Sequence, residues 1–299
     1  MQFNSFLYLF GFLPLLIFTF LFFKKRNLNN LIFLCFSLYF YLYNDWQLIF
    51  ILGISVIVDY FIAISLEKTS NETSRKLKLF ASIFVNLSLL SFFKYYEFYS
   101  DLFNRIVNSE RLLGEYRLNY YLPYILFSLP PGISFYTFQS MSYTFDVYRK
   151  KIKAEYNFIK LFAYVAFFPQ LIAGPIERFG NLAPQLSKTI KFKKENLESG
   201  IFLIFYGLCK KIVFADNLMS ITENSMSKSF PGAGIIMALA FGFGIYCDFS
   251  AYTDIARGSA RLFNIKLSRN FLTPYFSSNP QEFWKRWHIT LSQWLRDYL

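Results

Sequence analysis

The residues best equipped for chemistry stand in "EFWKRWHITLS" (282–292), where His288, the single histidine among 299 residues, follows Trp284 and Trp287 and precedes Ser292. A nearly neutral imidazole is the usual group for taking a proton from an alcohol at pH 7. The same spacing suits a histidine at the edge of an apolar helix face that only makes a hydrogen bond, and periodicity leaves both readings open. A second cluster lies in "GIYCDFSAYTDIARGSARLF" (244–263), where Asp248, Asp254, Arg257 and Arg261 stand at or just beyond the end of an apolar run. Asp254 and Arg257 are three apart, so a helix brings them together and lowers the cost of holding either charge near lipid. The pair is either a lock between helices or part of the polar wall of a reaction chamber.

Other chemistries lack their residues. No serine has a Gly-x-Ser-x-Gly setting, and "GFG" at 242–244 has no phosphate-loop pattern around it. Cys35, Cys209 and Cys247 are isolated in apolar stretches, so neither a disulfide framework nor a zinc site of the usual ligand count can be assembled.

Positioning His288 requires a helix. Asn279 is a good N-cap, Pro280 suits the first helical position, and Glu282 falls where its side chain can reach back to the Asn279 amide. Continued at 100° per residue, that helix gathers Phe283, Trp287, Leu291, Trp294, Leu295 and Tyr298 on one side and Lys285, Arg286, Arg296 and Asp297 on the other. The pattern predicts a cationic amphipathic helix lying at the cytoplasmic interface of a membrane.

The rest of the chain supplies that membrane reading. It is 55% hydrophobic, 22% aromatic and only 17% charged, where a soluble domain carries about a quarter charged residues. Apolar runs predict spans at about 3–23, 31–43, 46–66, 79–96, 122–145 and 232–250. The first run has no basic leader or small-residue cleavage site and reads as a span, not a removable signal. The net charge of +12 is spread in short clusters between spans, which argues against nucleic acid and for orientation and contact with anionic lipid.

Those clusters set the orientation. Lys24, Lys25 and Arg26, then Lys68, Arg75, Lys76 and Lys78, then "YRKKIK" (148–153) belong on the cytoplasmic side, and the mixed-charge loop 97–121 belongs outside. Residues 156–176 look like another span, yet Lys188, Lys191, Lys193 and Lys194 return the chain to the same side. Pro169, Gly174 and Pro175 would break a helix there, so the segment is predicted to be a re-entrant hairpin or broken helix. Lys210 and Lys211 interrupt the next apolar run, which places them either at the interface of a partial or tilted helix or beside a wet cavity inside the bundle. No internal repeat is visible, so 1–299 reads as one all-α, polytopic membrane bundle with re-entrant or broken helices.

"FWKRWHITLSQWLRDYL" resembles the signature of the membrane-bound O-acyltransferases, in the branch of alginate O-acetyltransferases and teichoic acid D-alanyl transferases. "LPPGISFYTFQSMSYTFDVYR" (129–149), "FFPQLIAGPIERF" (167–179), "GLCKKIVFADNL" (207–218) and "YCDFSAYTDIARGSARLFNIKLSRNFLTPY" (246–275) are similar to its other blocks, in order. The resemblance implies a bundle around a funnel, with an acyl donor presented from the cytoplasm and an acceptor hydroxyl approaching from outside. It implies that His288 lines the path, with Trp284, Trp287, Asp248 and Asp254 as wall residues, and that a second histidine further along is the catalytic one. That histidine is not among these residues, so the chain is expected to be the N-terminal part of a longer family domain and not to turn over as it stands.

The expected reaction is O-acyl transfer, acetyl to hydroxyls of an exported polysaccharide, with D-alanyl or other acyl transfer to a cell-envelope polymer as the alternative. No metal and no bound cofactor are expected beyond a donor such as acetyl-CoA or a carrier-bound acyl thioester. The expected partners are that donor on the cytoplasmic side, a polysaccharide or partner acyltransferase on the outer side, and lipid of the bacterial cytoplasmic (inner) membrane. A polytopic transporter is the competing class; it predicts internal symmetry between halves, which the sequence does not show.

Overall fold

A computed structural model describes residues 1–23, 28–43, 48–96, 98–99, 101–102, 129–226 and 232–299. Lys24, Lys25 and Arg26, most of loop 97–121 and the first part of the predicted span 122–145 lie outside the described residues.

The chain enters through a π-helical turn, Tyr8–Phe12, that runs into α1 (Leu13–Phe22). Pro14 at the start of α1 has no amide to donate and its ring crowds the preceding turn; the widened turn accommodates both. There follow α2 (Asn29–Leu42), α3 (Ile49–Lys68), α4 (Glu72–Lys94) and α5 (Ile133–Tyr148). Next come α6 (Phe158–Val165), α7 (Phe168–Leu171), α8 (Phe179–Leu186), α9 (Lys194–Cys209), a second π-helical turn (Lys210–Ala215), α10 (Asp216–Met226), α11 (Ala233–Leu262), α12 (Pro280–Arg286) and α13 (Ile289–Tyr298).

Three of these, α3, α4 and α11, are long and apolar enough to cross a membrane, and Tyr8–Phe22 and Asn29–Leu42 are shorter apolar helices. The fold is the all-α membrane bundle expected. Two boundaries moved. α4 begins at Glu72 instead of 79, because Asn71 caps it by accepting from the Ser74 amide. Arg75 in its first turn is buried and donates to Leu66 O at the end of α3 and to Tyr148 O at the end of α5. One cation thus serves the carbonyl-rich ends of two neighbouring helices. α11 runs on to Leu262, past the expected end at 250, so Asp254, Arg257 and Arg261 all stand on one continuous helix.

Residues 156–176 form the broken helix that their prolines predict. α6 has 8 residues, about 12 Å of helix, too short to span. Backbone freed at the break is met inside protein: Gln139 and Gln170 both donate to Tyr164 O, and the Phe168 amide donates to Ser37 Oγ. At Gly132 (φ 76°) a Cβ would fall 2.1 Å from Leu171 O, so only glycine lets α5 start against this break.

Two further features hold the bundle. α9 and α11 pack at backbone distance, because a Cβ on Gly258 would meet Gly200 O at 2.7 Å; small residues permit this approach where lipid supplies no hydrophobic drive between helices. Across α3, α4 and α5, the fully buried Asp59 accepts from Ser82 Oγ, Asn86 Nδ2 and Ser140 Oγ.

Candidate functional site

The single helix expected over 280–298 is two helices. Its start is as predicted, with Asn279 Oδ1 accepting the Glu282 amide at 2.8 Å, although the Glu282 carboxylate reaches the Ser278 amide and hydroxyl instead of the Asn279 amide. The break comes at Trp287, which is extended (φ −100°, ψ 128°), and His288, which is left-handed (φ 42°, ψ 54°). The cause is tertiary. The Leu272 amide donates to Arg286 O and the Ile289 amide to Asn270 O, so residues 270–272 take backbone groups on both sides of the break. Thr290 Oγ1 adds a 2.6 Å bond to Asn270 Oδ1. Thr273 is also left-handed (φ 43°), so the junction carries two non-glycine residues in a costly conformation.

Beyond the break α13 packs into the bundle instead of lying along an interface. Trp294 Nε1 donates to Phe138 O at 2.8 Å, Tyr298 Oη donates to Asp146 Oδ1 at 2.9 Å, and Arg178 lies 4.4 Å from the Tyr298 ring centroid. The expected apolar arc is therefore split: Trp294 and Tyr298 are buried against α5, and Phe283 stacks on Trp287 near Tyr275.

His288 is 7% exposed. Its ring lies 5.0 Å from that of Phe249, 6.0 Å from Phe135 and 6.4 Å from Phe271. Nδ1 accepts the Leu291 amide at 3.3 Å, making the imidazole the N-cap of α13. An Nδ1 that accepts carries no proton, so the neutral ring carries it on Nε2, which has no hydrogen-bond partner among the described residues. The side chain is thus arranged to donate to an oxygen placed beside Nε2. Taking up a proton there would require it first to change tautomer and release the cap.

Burial in this aromatic box lowers the His288 pKa to about 4. The folded pKa lies below the unfolded value of about 6.5, so the unfolded chain binds the extra proton first and stability falls as pH drops from about 6.5 to about 4. The expected loss is on the order of 3 kcal/mol. Thermal unfolding of the detergent-solubilised protein between pH 7 and 4 checks it: His288→Asn should remove that part of the acid sensitivity, and an identical acid profile in both proteins would count against a buried neutral imidazole.

The four expected wall residues do not form one wall. Asp254 accepts from Lys210 Nζ at 2.5 Å and from Arg257 Nη1 at 3.0 Å. Asp248 pairs with Lys211 at 2.7 Å, and Lys211 also pairs with Asp216 at 2.9 Å. Lys210 thus starts the π-helical turn with one carboxylate and Lys211 follows with two, beside two separate cavities. Asp254 and Lys210 line one of about 250 Å³; Asp248 and Lys211 line another of about 460 Å³. Trp284 is 57% exposed, and Trp287 sits among Tyr246, Phe271 and Tyr275. His288 is linked to the smaller cavity by Phe271, which lines it and stands in the ring box, and by Asn270, which lines it and bonds both Ile289 and Thr290. Asn270, Arg269 and the lysine counter-ions were not assigned from sequence. A lysine pair in an apolar run was a signal that two carboxylates must lie opposite; nothing local marked Asn270.

Comparison with known proteins matches residues 27–299 to the model of the MBOAT, membrane-bound O-acyltransferase family. The chain is similar to the probable alginate O-acetylase AlgI of Pseudomonas aeruginosa, 36% identical over 305 residues, covering 100% of this chain and 56% of that protein. It is similar to the peptidoglycan O-acetyltransferase of Helicobacter pylori, 32% identical over 330 residues, 99% of this chain and 60% of that one. It is 30% identical over 178 residues to the teichoic acid D-alanyltransferase of Bacillus subtilis, 56% of this chain and 44% of that one. The chain thus spans 56% to 60% of the length of the two relatives that it matches throughout.

Proposed function

The chain belongs to the membrane-bound O-acyltransferase family, and from that premise we propose that the whole protein transfers an acyl group, acetyl in the first place, to hydroxyls of an exported polysaccharide. It is a multi-pass protein of the bacterial cytoplasmic membrane. The donor is a thioester such as acetyl-CoA or a carrier-bound acyl group on the cytoplasmic side, and the acceptor polymer or a partner acyltransferase stands on the outer side. The relatives that act on alginate and peptidoglycan support acetyl as the group transferred; the D-alanyltransferase keeps D-alanyl as the alternative.

The observation that carries the reading is His288, held at a helix break in an aromatic box with Nε2 unengaged. Attack of a hydroxyl on a thioester carbonyl builds negative charge on the carbonyl oxygen, and a fixed donor in a site without water stabilises that charge. His288 supplies the donor. The proton of the attacking hydroxyl goes to another base, which the family resemblance assigns to a second histidine; collapse of the oxyanion breaks the C–S bond, and the thiolate leaves with that proton as the thiol.

Asparagine tolerates the left-handed conformation and caps helices well, so His288→Asn preserves the break while deleting the imidazole. In cells carrying the full-length gene, ester-linked acetyl on polysaccharide is expected to fall by about 10²-fold with His288→Asn, at unchanged protein level. Wild-type ester content in that variant would reduce His288 to a cap. Ester-linked D-alanine in place of acetyl would select the alternative donor.

A further inference from the structure

Among the described residues the His288 imidazole makes one hydrogen bond, to the Leu291 amide of its own helix. The ring therefore moves with the first turn of α13, and whatever fixes that turn fixes where Nε2 points. Thr290 in that turn is buried, and its hydroxyl joins two other segments. Oγ1 accepts the Ile176 amide, from the loop 172–178 between α7 and α8, at 3.0 Å and donates to Asn270 Oδ1 at 2.6 Å. An amide nitrogen can only donate, so the hydroxyl proton is left for Asn270 and the relay runs in one direction.

The same loop also holds the chain just before Asn270. Glu177 is buried; one of its carboxylate oxygens accepts the Ser268 amide and the other accepts Asn181 Nδ2 of α8 at 2.6 Å. Its carbonyl accepts Tyr164 Oη at 2.8 Å, which anchors the loop to α6. Residues 176 and 177 thus grip 268–270 twice, once directly and once through Thr290. Pro175 keeps the loop from continuing as helix, which leaves the Ile176 amide to find its acceptor in another segment. The broken helix therefore delivers a backbone amide and a carboxylate to the segments that carry the histidine.

We propose that Thr290 is a positioning residue for His288, holding α13 against loop 172–178 so that Nε2 points at the reacting carbonyl oxygen, with Glu177 bracing the same contact. The role rests on the acyl-transfer reading. Thr290→Val keeps the shape of the side chain and removes the hydroxyl, which leaves the buried Ile176 amide without its acceptor. A buried donor so stranded is costly, and the loop or the turn shifts to relieve it. A misplacement of about 1 Å costs on the order of 10²-fold in rate, and a shift of about half that costs roughly tenfold.

The test uses the full-length protein and two readouts. In cells, Thr290→Val is expected to lower ester-linked acetyl on polysaccharide by roughly tenfold at wild-type protein level, and Thr290→Ser, which keeps the hydroxyl, to restore it. In detergent, NMR of isotopically labelled histidine reads the His288 tautomer, with the signal assigned by its loss in His288→Asn. Wild type and Thr290→Ser are expected to show the Nε2-protonated ring alone, and Thr290→Val a share of the Nδ1-protonated ring as the bond to the Leu291 amide loosens. Where Thr290→Val fails to accumulate, Glu177→Leu, which frees the Ser268 amide, is expected to give the same tautomer shift. Ester content at the wild-type level in Thr290→Val, or a His288 tautomer unchanged in it, overturns the proposal. Ester content equal in wild type and His288→Asn would instead remove the acyl-transfer role from His288, and the tautomer would then decide whether Thr290 holds the ring.

Discussion

Asp59→Leu is expected to destabilise the bundle by roughly 2–6 kcal/mol, the sum of three orphaned donors at membrane-helix to soluble-core values. The carboxylate is fully buried and accepts from Ser82 and Asn86 of α4 and Ser140 of α5. A leucine there strips the Ser82 and Ser140 hydroxyls and one Asn86 N–H of their acceptor, although Asn86 Nδ2 keeps its bond to Ser82 O, and removes a carboxylate that joins α3 to both neighbours. Asn86 has a further tie, accepting from Ser55 Oγ, so the loss spreads along α3. Asp59→Asn keeps one acceptor oxygen and should recover part of the stability. Unfolding of the purified protein by added SDS measures this; a leucine variant as resistant as wild type would show that the cluster is not what binds the three helices.

The second large effect is expected at Asp254. Asp254→Leu strands Lys210 and Arg257, which are only 13% and 17% exposed, without their shared carboxylate. Removing one member of a buried ion pair costs about 3–5 kcal/mol, because the remaining charge is left uncompensated. The cavity beside the pair admits some hydration, which puts the expected value near the low end, about 3 kcal/mol. Lys210→Met in the same chain should restore part of it, and the double-mutant cycle on SDS unfolding gives the coupling directly. Strict additivity of the two changes would mean that the contact contributes nothing.

Much of this was legible before any tertiary information. The surplus of apolar and aromatic residues and the recurring apolar runs required an all-α membrane bundle, since only internally bonded helices or closed barrels satisfy backbone groups in lipid. Pro169 and its neighbours announced the broken helix, because a proline removes an amide bond wherever it stands. Asp254 and Arg257 announced their own pairing, which depends on helical spacing alone. The ordered blocks carried the family. By contrast, Asp59 sits in an apolar run whose local pattern gives no reason for a carboxylate; its reason is Ser82, Asn86 and Ser140 on other helices.

His288 shows where the division falls. Sequence by itself determined that an imidazole follows a capped helix start at 280, amid tryptophans and cations, in a chain built for lipid. Continued periodicity made that helix one amphipathic rod, because local propensity has no term for a competing partner. Only the tertiary structure supplied the partner: residues 270–272 take the Ile289 amide and Arg286 carbonyl, the helix breaks, and the histidine turns left-handed to cap the next one. That long-range exchange of backbone hydrogen bonds decided which ring nitrogen is free, buried the ring among three phenylalanines, and tied it through Asn270 to a cationic cavity that no local pattern foretold.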